Sequence, residues 1–154
     1  MKIITENKKG LFNNEVLEKW SAGVILSGPE VKSIKLGKIN LTGSYVSLTI
    51  NGKNQATEVW LKNCHISPYR KAGYSQKNYE PTRPRKLLLN KKEIHYLIGK
   101  EKIKGLTIIP VSVYIKNGLI KIEIALVRGL KKFDKRERIK KREIDKRIRQ
   151  KLNY

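Results

Sequence analysis

The sequence predicts a mainly β domain with short helices, followed by a basic C-terminal tail. Three observations carry that reading. Short apolar runs, several of them alternating with polar residues, recur between turn signals. Two capping boxes announce brief helices rather than long ones. Beyond Val127 the alternation stops and charge takes over: Arg128 to Tyr154 holds 13 Lys and Arg against 4 Asp and Glu, with no Pro and, after Gly129, no Gly. The chain of 154 residues therefore divides into a body, 1–127, and a tail, 128–154.

The elements follow in order. Met1–Lys19 is polar and basic after the Ile3-Ile4 pair, and the first clear unit is the apolar run Ala22–Leu26, a short buried strand. Ser27-Gly28-Pro29-Glu30 is a capping box with Pro in the first turn, so a helix runs from Pro29 to about Leu36 and stops at Gly37. Ser44–Ile50 alternates, with Val46, Leu48 and Ile50 on one side; Glu58–Lys62 returns after the Asn51-Gly52 turn. Asn63–Lys86 has no period and carries Pro68, Gly73, Pro81 and Pro84, a long loop of the kind that is usually functional or disordered. Asn90-Lys91-Lys92-Glu93 opens a second helix, with Ile94, Leu97 and Ile98 on one face, ending near Lys102. Leu106–Ile115 and Ile120–Val127 are strands joined across Asn117-Gly118, a hairpin signal. Val111, Val113 and Ile115 form one inward set and Ile120, Ile122, Ile124 and Leu126 another, with Pro110 marking a bulge or edge. About six mostly antiparallel strands interrupted by helices fit a six-stranded barrel of the oligonucleotide-binding kind better than a sandwich.

Composition narrows the function. The formal charge of +22 makes a compact state repel itself, so a polyanionic partner is the economical explanation, and nucleic acid fits better than a membrane surface. The single cysteine, Cys64, excludes an internal disulfide and favours a reducing compartment. No apolar run approaches the ~18 residues of a spanning helix, and the N-terminus lacks the apolar segment of a signal peptide, which points to a cytoplasmic protein. Catalysis is poorly served. Cys64 and His65 are neighbours whose side chains diverge in a strand, no Cys/His spacing fits zinc, and no Gly-rich phosphate loop is present. The nine carboxylates of the body are scattered, so neither a catalytic residue, a metal nor a cofactor is assigned.

Binding is better served. Tyr69, Tyr74 and Tyr79 lie among basic residues in the long loop, as stacking platforms or as pins holding the loop to the barrel. Arg83, Arg85 and Lys86 present basic heads beside Leu87-Leu88-Leu89, in which Leu87 and Leu89 face inward and Leu88 outward. Asn7-Lys8-Lys9 reads as a phosphate clamp or a frayed terminus. Glu30 reads as a helix cap, or as a group that pairs a base amino group or orients Lys32. In the tail, Phe133, Ile144, Ile148 and Leu152 share one arc, but Glu137, Lys140 and Lys141 break it and Ile139 lies opposite. The i,i+4 pairs Glu137–Lys141, Glu143–Arg147 and Asp145–Arg149 favour a helix. The net positive charge opposes it in isolation, so the tail should be disordered when free and helical on a polyanion.

In this order and spacing, several motifs resemble the SsrA-binding protein (small protein B) family, the partner of transfer-messenger RNA in bacterial ribosome rescue. They are Asn7-Lys8-Lys9, Ala22-Gly23, Gly28-Pro29-Glu30-Val31-Lys32-Ser33, Gly37-Lys38-Ile39-Asn40 and Ser44-Tyr45. His65-Ile66-Ser67-Pro68-Tyr69, Arg83–Leu89, Lys104-Gly105-Leu106-Thr107 and Asn117-Gly118 continue the series, and Arg128-Gly129, Asp134–Glu137 and Ile139–Arg142 complete it. The resemblance implies an oligonucleotide-binding-like barrel whose body binds the tRNA-like domain of transfer-messenger RNA, with no chemistry done by the protein. Asn7, Leu88 and the Glu30/Lys32 region lie at positions the family uses for that RNA or its immediate support; with the basic residues read above, the RNA-binding set is Asn7, Lys8, Lys9, Glu30, Lys32, Lys35, Arg83, Arg85, Lys86 and Leu88. The tail would enter the empty mRNA channel of a stalled ribosome against small-subunit rRNA and fold into a helix there; Asp134, Lys135 and Arg136 match the family's tail motif, and Gly129, Ile139, Lys140 and Arg142 complete the expected ribosome-binding set. A contact with the tRNA-delivering elongation factor is left open, and a monomer is expected. The charge pattern alone equally suits a ribosomal or ribosome-assembly protein with an rRNA-penetrating tail. One segment departs: Ser21 stands where the family carries Glu before Ala-Gly, so no RNA contact is carried onto Ser21 or Phe12, and Lys8, Lys9 and Lys19 would take over there.

Overall fold

The spine of the molecule is a long hairpin, β8 (Leu106–Lys116) and β9 (Leu119–Gly129), paired from Leu106↔Arg128 to Lys116↔Leu119. Its turn needs two consecutive left-handed residues, and Asn117 (φ 52°) and Gly118 (φ 76°) supply them. The computed structural model describes residues 1–152, apart from the side chains of Tyr74, Ser75 and Lys132. The tail-end residues Asn153 and Tyr154 lie outside that range.

Around the hairpin run β1 (Lys2–Glu6), α1 (Lys8–Asn13), β2 (Asn14–Val24), α2 (Gly28–Lys35), β3 (Ile39–Asn40) and β4 (Tyr45–Ile50). They are followed by β5 (Thr57–Lys62), β6 (His65–Ile66), a 3-10 segment (Arg70–Gln76), β7 (Arg85–Leu88), α3 (Lys91–Glu101) and, after β9, α4 (Lys132–Leu152). The main sheet has the order β1-β8-β4-β5-β7-β2-β9, every pairing antiparallel, and the β8–β9 pairing joins its far side back to β8. Six strands thus form a closed ring, the expected barrel. β1 lies outside it, alongside the stretch of β8 beyond β4's contact. β3 and β6 make a separate two-stranded pair.

The ring encloses Ala22, Val46, Val59, Leu61, Leu87, Ile108, Val113, Ile122, Ile124 and Leu126, and α2 and α3 cap it with Ile34 and Leu97. Both caps form as expected: Ser27 and Asn90 accept from the Glu30 and Glu93 amides, and each Glu returns a bond to its cap residue's amide.

Three expectations change. Val111 does not share a face with Val113 and Ile115. The ladder slips between Pro110 and Ser112, leaving Val111 as the extra residue. It turns outward with Ile109, Ala125 and Val127 into a second small core that Leu11 of α1 and Val16 cover. Ile50 is 68% exposed rather than on the buried side of β4, because it sits where the strand leaves the ring. β1 and the first half of β2 occupy the stretch read as polar. A second slip between Val16 and Glu18 breaks the alternation that would have revealed the strand.

Candidate nucleic-acid interface

Glu30 organises the surface from below it. Its side chain is 1% exposed, held at the first turn of α2 by the capping box. Arg85, from β7, lies wholly buried beside it, with Nε 2.7 Å from Glu30 Oε2. The same guanidinium donates to the carbonyls of Cys64 (2.6 Å) and Pro81 (2.9 Å) and to the Tyr79 hydroxyl (3.0 Å). Arg83 reaches the other carboxylate oxygen, and the Tyr79 hydroxyl donates to the Ile66 carbonyl at 2.9 Å. Burial pushes the Glu30 carboxyl up, but the Ser27 amide and the two arginines outweigh it and hold the group below the usual carboxylate value of 4.5. Burial also pushes the Tyr79 hydroxyl up, and the adjacent Glu30 charge adds to it.

This network revises the expected RNA-facing set. Glu30 and Arg85 have no surface to offer a base or phosphate. A buried charge must be paired, and each is the other's partner, so together they staple the 63–86 segment to α2. Tyr79 is a pin in the same staple, while the Tyr74 side chain lies outside the described residues. Asn7, 4% exposed, is likewise no clamp: it caps α1 by accepting from the Gly10 amide and donates to the Pro110 carbonyl at 2.9 Å, inside the β8 bulge.

The exposed members remain. Lys8 and Lys9 stand on α1, Lys32 and Lys35 on α2, all exposed. Arg83 and Lys86 are half-exposed, Lys86 with its ammonium 3.8 Å from Glu58. Trp60, half-buried and opposite Lys86 in the β5–β7 ladder, donates to Glu58 at 3.1 Å. Leu88 is 51% exposed while Leu87 is buried and Leu89 partly so, the expected alternation. Gly23 pairs with Leu88, and a Cβ on Gly23 would meet the Leu88 Cβ at 3.3 Å, so a glycine lets the two strands close here.

Sequence reasoning missed a ring pair and an anchor. The Trp20 and Tyr96 rings meet at a tilt of 52° with 5.8 Å between centroids, and the Tyr96 hydroxyl donates to Glu18 at 2.6 Å, which pushes that hydroxyl's pKa up. Arg138, in α4, donates to the carbonyls of Leu11 (3.0 Å), Phe12 (2.9 Å) and Asn14 (3.2 Å) at the end of α1. Arg142 lies 5.7 Å from the Phe12 ring centre. The tail, expected to be disordered when free, is helical in the structure. The physical reason is that α1's negative C-terminal end meets α4's cations. Nothing in the sequence revealed α1, so nothing revealed this contact. Along α4, Asp134 sits in the first turn, Arg136, Lys140 and Arg142 are exposed, Ile139 is 45% exposed, and Lys135 is half-buried. Glu137 pairs with Lys140 at 3.8 Å rather than with Lys141. Gly129 ends β9, opposite Asn14.

Chemistry has little foothold. Cys64 is buried and its thiol is pushed up to about 11, so it stays protonated and unreactive. Among the described residues, no three His, Cys, Asp or Glu converge as metal ligands, and no helix is long and apolar enough to cross a membrane. The surface presents cations, aromatic rings and a long basic helix, an arrangement that binds polyanions.

Comparison with known proteins agrees. The model of the family described as SmpB protein matches residues 4–154, body and tail together. The chain belongs to the SmpB family. An SsrA-binding protein of Trichodesmium erythraeum is 50% identical over 149 residues, covering 97% of this chain and 90% of that protein. The SmpB relative of Thermosipho melanesiensis, also an SsrA-binding protein, is 50% identical over 153 residues, with 99% of each covered. A solved SmpB structure described as "tmRNA-SmpB: a journey to the center of the bacterial ribosome" superposes with a TM-score of 0.66. It is 38% identical and covers 88% of this chain and 93% of that one.

Proposed function

We propose that this chain is an RNA-binding adaptor of ribosome rescue. The body, 1–127, binds the tRNA-like domain of transfer-messenger RNA and delivers it to stalled ribosomes for trans-translation in the cytoplasm. The tail, 128–154, occupies the empty mRNA channel beside small-subunit rRNA. It acts there through Gly129, Asp134, Lys135, Arg136, Ile139, Lys140 and Arg142. The protein binds and positions; it performs no reaction. On the body, the exposed Lys8, Lys9, Lys32, Lys35, Arg83, Lys86 and Leu88 face the RNA, and Asn7, Glu30 and Arg85 hold that surface in shape.

The observation that supports this reading most is that similarity to SsrA-binding proteins runs through body and tail alike. A barrel of this type alone would fit many RNA partners. Affinity capture of the tagged protein from lysate tests it. Recovery of one abundant RNA with a tRNA-like end is expected. Stoichiometric presence on all translating ribosomes would instead make it a ribosomal component with an rRNA-penetrating tail.

A further inference from the structure

Of the three tyrosines in the 63–86 segment, Tyr69 lines a cleft. The cleft has a volume of about 530 Å³ and lies between the end of α2 and the turn after β6, where Tyr69 shares it with Leu36, Lys38, Arg70 and Lys71. A pocket of that size falls in the range that holds a small ligand. Among the described residues, no acidic side chain lines it. Lys38, Arg70 and Lys71 are exposed, and the Lys32 ammonium lies 5.5 Å from the Tyr69 ring centre.

The platform is fixed before any ligand arrives. The Tyr69 amide donates to Gln76 Oε1 at 2.7 Å, and Gln76 Nε2 donates back to the Tyr69 carbonyl. The Ser33 hydroxyl donates to the Ser67 carbonyl at 2.6 Å, and the Ser67 amide to the Lys38 carbonyl at 3.0 Å. These bonds fix the backbone that carries the ring, and the ring itself is half-buried, so using it costs little backbone entropy.

We infer that this cleft is a site for one unpaired RNA nucleotide, its base stacked on Tyr69 and its phosphates held by Lys38, Arg70 and Lys71. A flat ring among cations with no acid fits a base and its backbone together; an acidic peptide would use the cations and leave the ring idle. The inference deepens the adaptor reading, on which the choice of RNA as the polyanion rests.

The test uses the full-length protein and a single-stranded oligoribonucleotide of about ten residues, unrelated to transfer-messenger RNA and carrying 4-thiouridine. Photo-crosslinking should mark the segment containing Tyr69; crosslinks confined to other segments overturn the site. Tyr69→Ala should weaken binding about 5- to 100-fold with an unchanged salt slope, and Tyr69→Phe should bind as the parent does. Lys71→Ala should lower the salt slope by about one. Equal binding by Tyr69→Ala and the parent overturns the inference, as does equal loss in Tyr69→Phe, which would place the effect in the hydroxyl. Displacement of the RNA from the cleft by polyglutamate at equal charge points to an acidic protein and overturns it too. Capture of the tRNA-like RNA from lysate with no crosslink at Tyr69 sinks the site and leaves the adaptor reading standing; a crosslink without that capture does the reverse.

Discussion

Arg85 and Glu30 share an ion pair, 2.6 Å at its shortest, from which both side chains are shut off from water. The pair joins β7 to α2 across 55 residues of sequence. It explains why a segment with two short strands and one 3-10 turn keeps a defined shape.

Removing one member should cost far more than a surface charge. Glu30→Ala leaves the Arg85 guanidinium buried without a counter-charge, and Arg85→Ala leaves the buried carboxylate with only the half-exposed Arg83 as its partner. Each should lower the stability by about 3–5 kcal/mol in urea unfolding. A loss under about 1 kcal/mol would mean that water enters the site.

The same pair sets an acid limit. The folded-state pKa of Glu30 lies below its ordinary value of 4.5, so its contribution is complete above about that pH and fades as pH falls through the lower, folded value. Stability measured against pH should therefore drop on the acid side, and Glu30→Gln should flatten that limb. An acid limb of equal steepness in Glu30→Gln would assign it to other carboxylates.

Exposed and buried cations should separate cleanly. Lys86→Ala and Arg83→Ala should each lower the salt dependence of RNA binding by up to about one unit of slope, Arg83→Ala with some loss of stability as well, because Arg83 also pairs with the buried Glu30. Arg85→Ala should act through unfolding instead. Asn7→Ala should cost about 0.5–2 kcal/mol as a lost helix cap, whereas Lys8→Ala and Lys9→Ala should leave the melting temperature unchanged and weaken RNA binding. Unchanged RNA affinity in Lys8→Ala/Lys9→Ala would remove α1 from the interface.

The tail should be severable. Because the Leu130 amide donates to the Asn13 carbonyl, truncation after Leu130 keeps the β2–β9 ladder whole. The truncated protein should retain capture of the tRNA-like RNA and lose function on the ribosome. Loss of RNA capture would mean that the division of labour between 1–127 and 128–154 is misdrawn. Arg138→Ala in the full chain should speed hydrogen exchange in the first turns of α4 while leaving β9 protected.

The barrel was legible because its signals are local. Asn117-Gly118, two capping boxes and the alternation of β4 and β9 each need only a few neighbouring residues. What stayed hidden needed knowledge of a partner. Glu30 looked like a cap and Arg85 like a surface charge; only the fold brings them together, and burial then reverses the role of Arg85. Two bulges, at Val111 and after Val16, shift the alternation by one residue, so periodicity misassigned one set and overlooked another strand. The docking of α4 was hidden for the same reason, since its acceptors are backbone carbonyls, which every residue carries.

The hairpin also works as a ruler. β1 begins at Lys2, opposite Ile115 near the turn, while Arg128, from which the tail departs, lies opposite Leu106 at the other end of β8. At roughly 3.3 Å per residue, those two points are about 30 Å apart along the strand. A dye at the first residues and another at Arg128 would straddle a fixed distance suited to energy transfer, a reference against which a second dye moved out onto α4 would report in real time when the tail leaves α1.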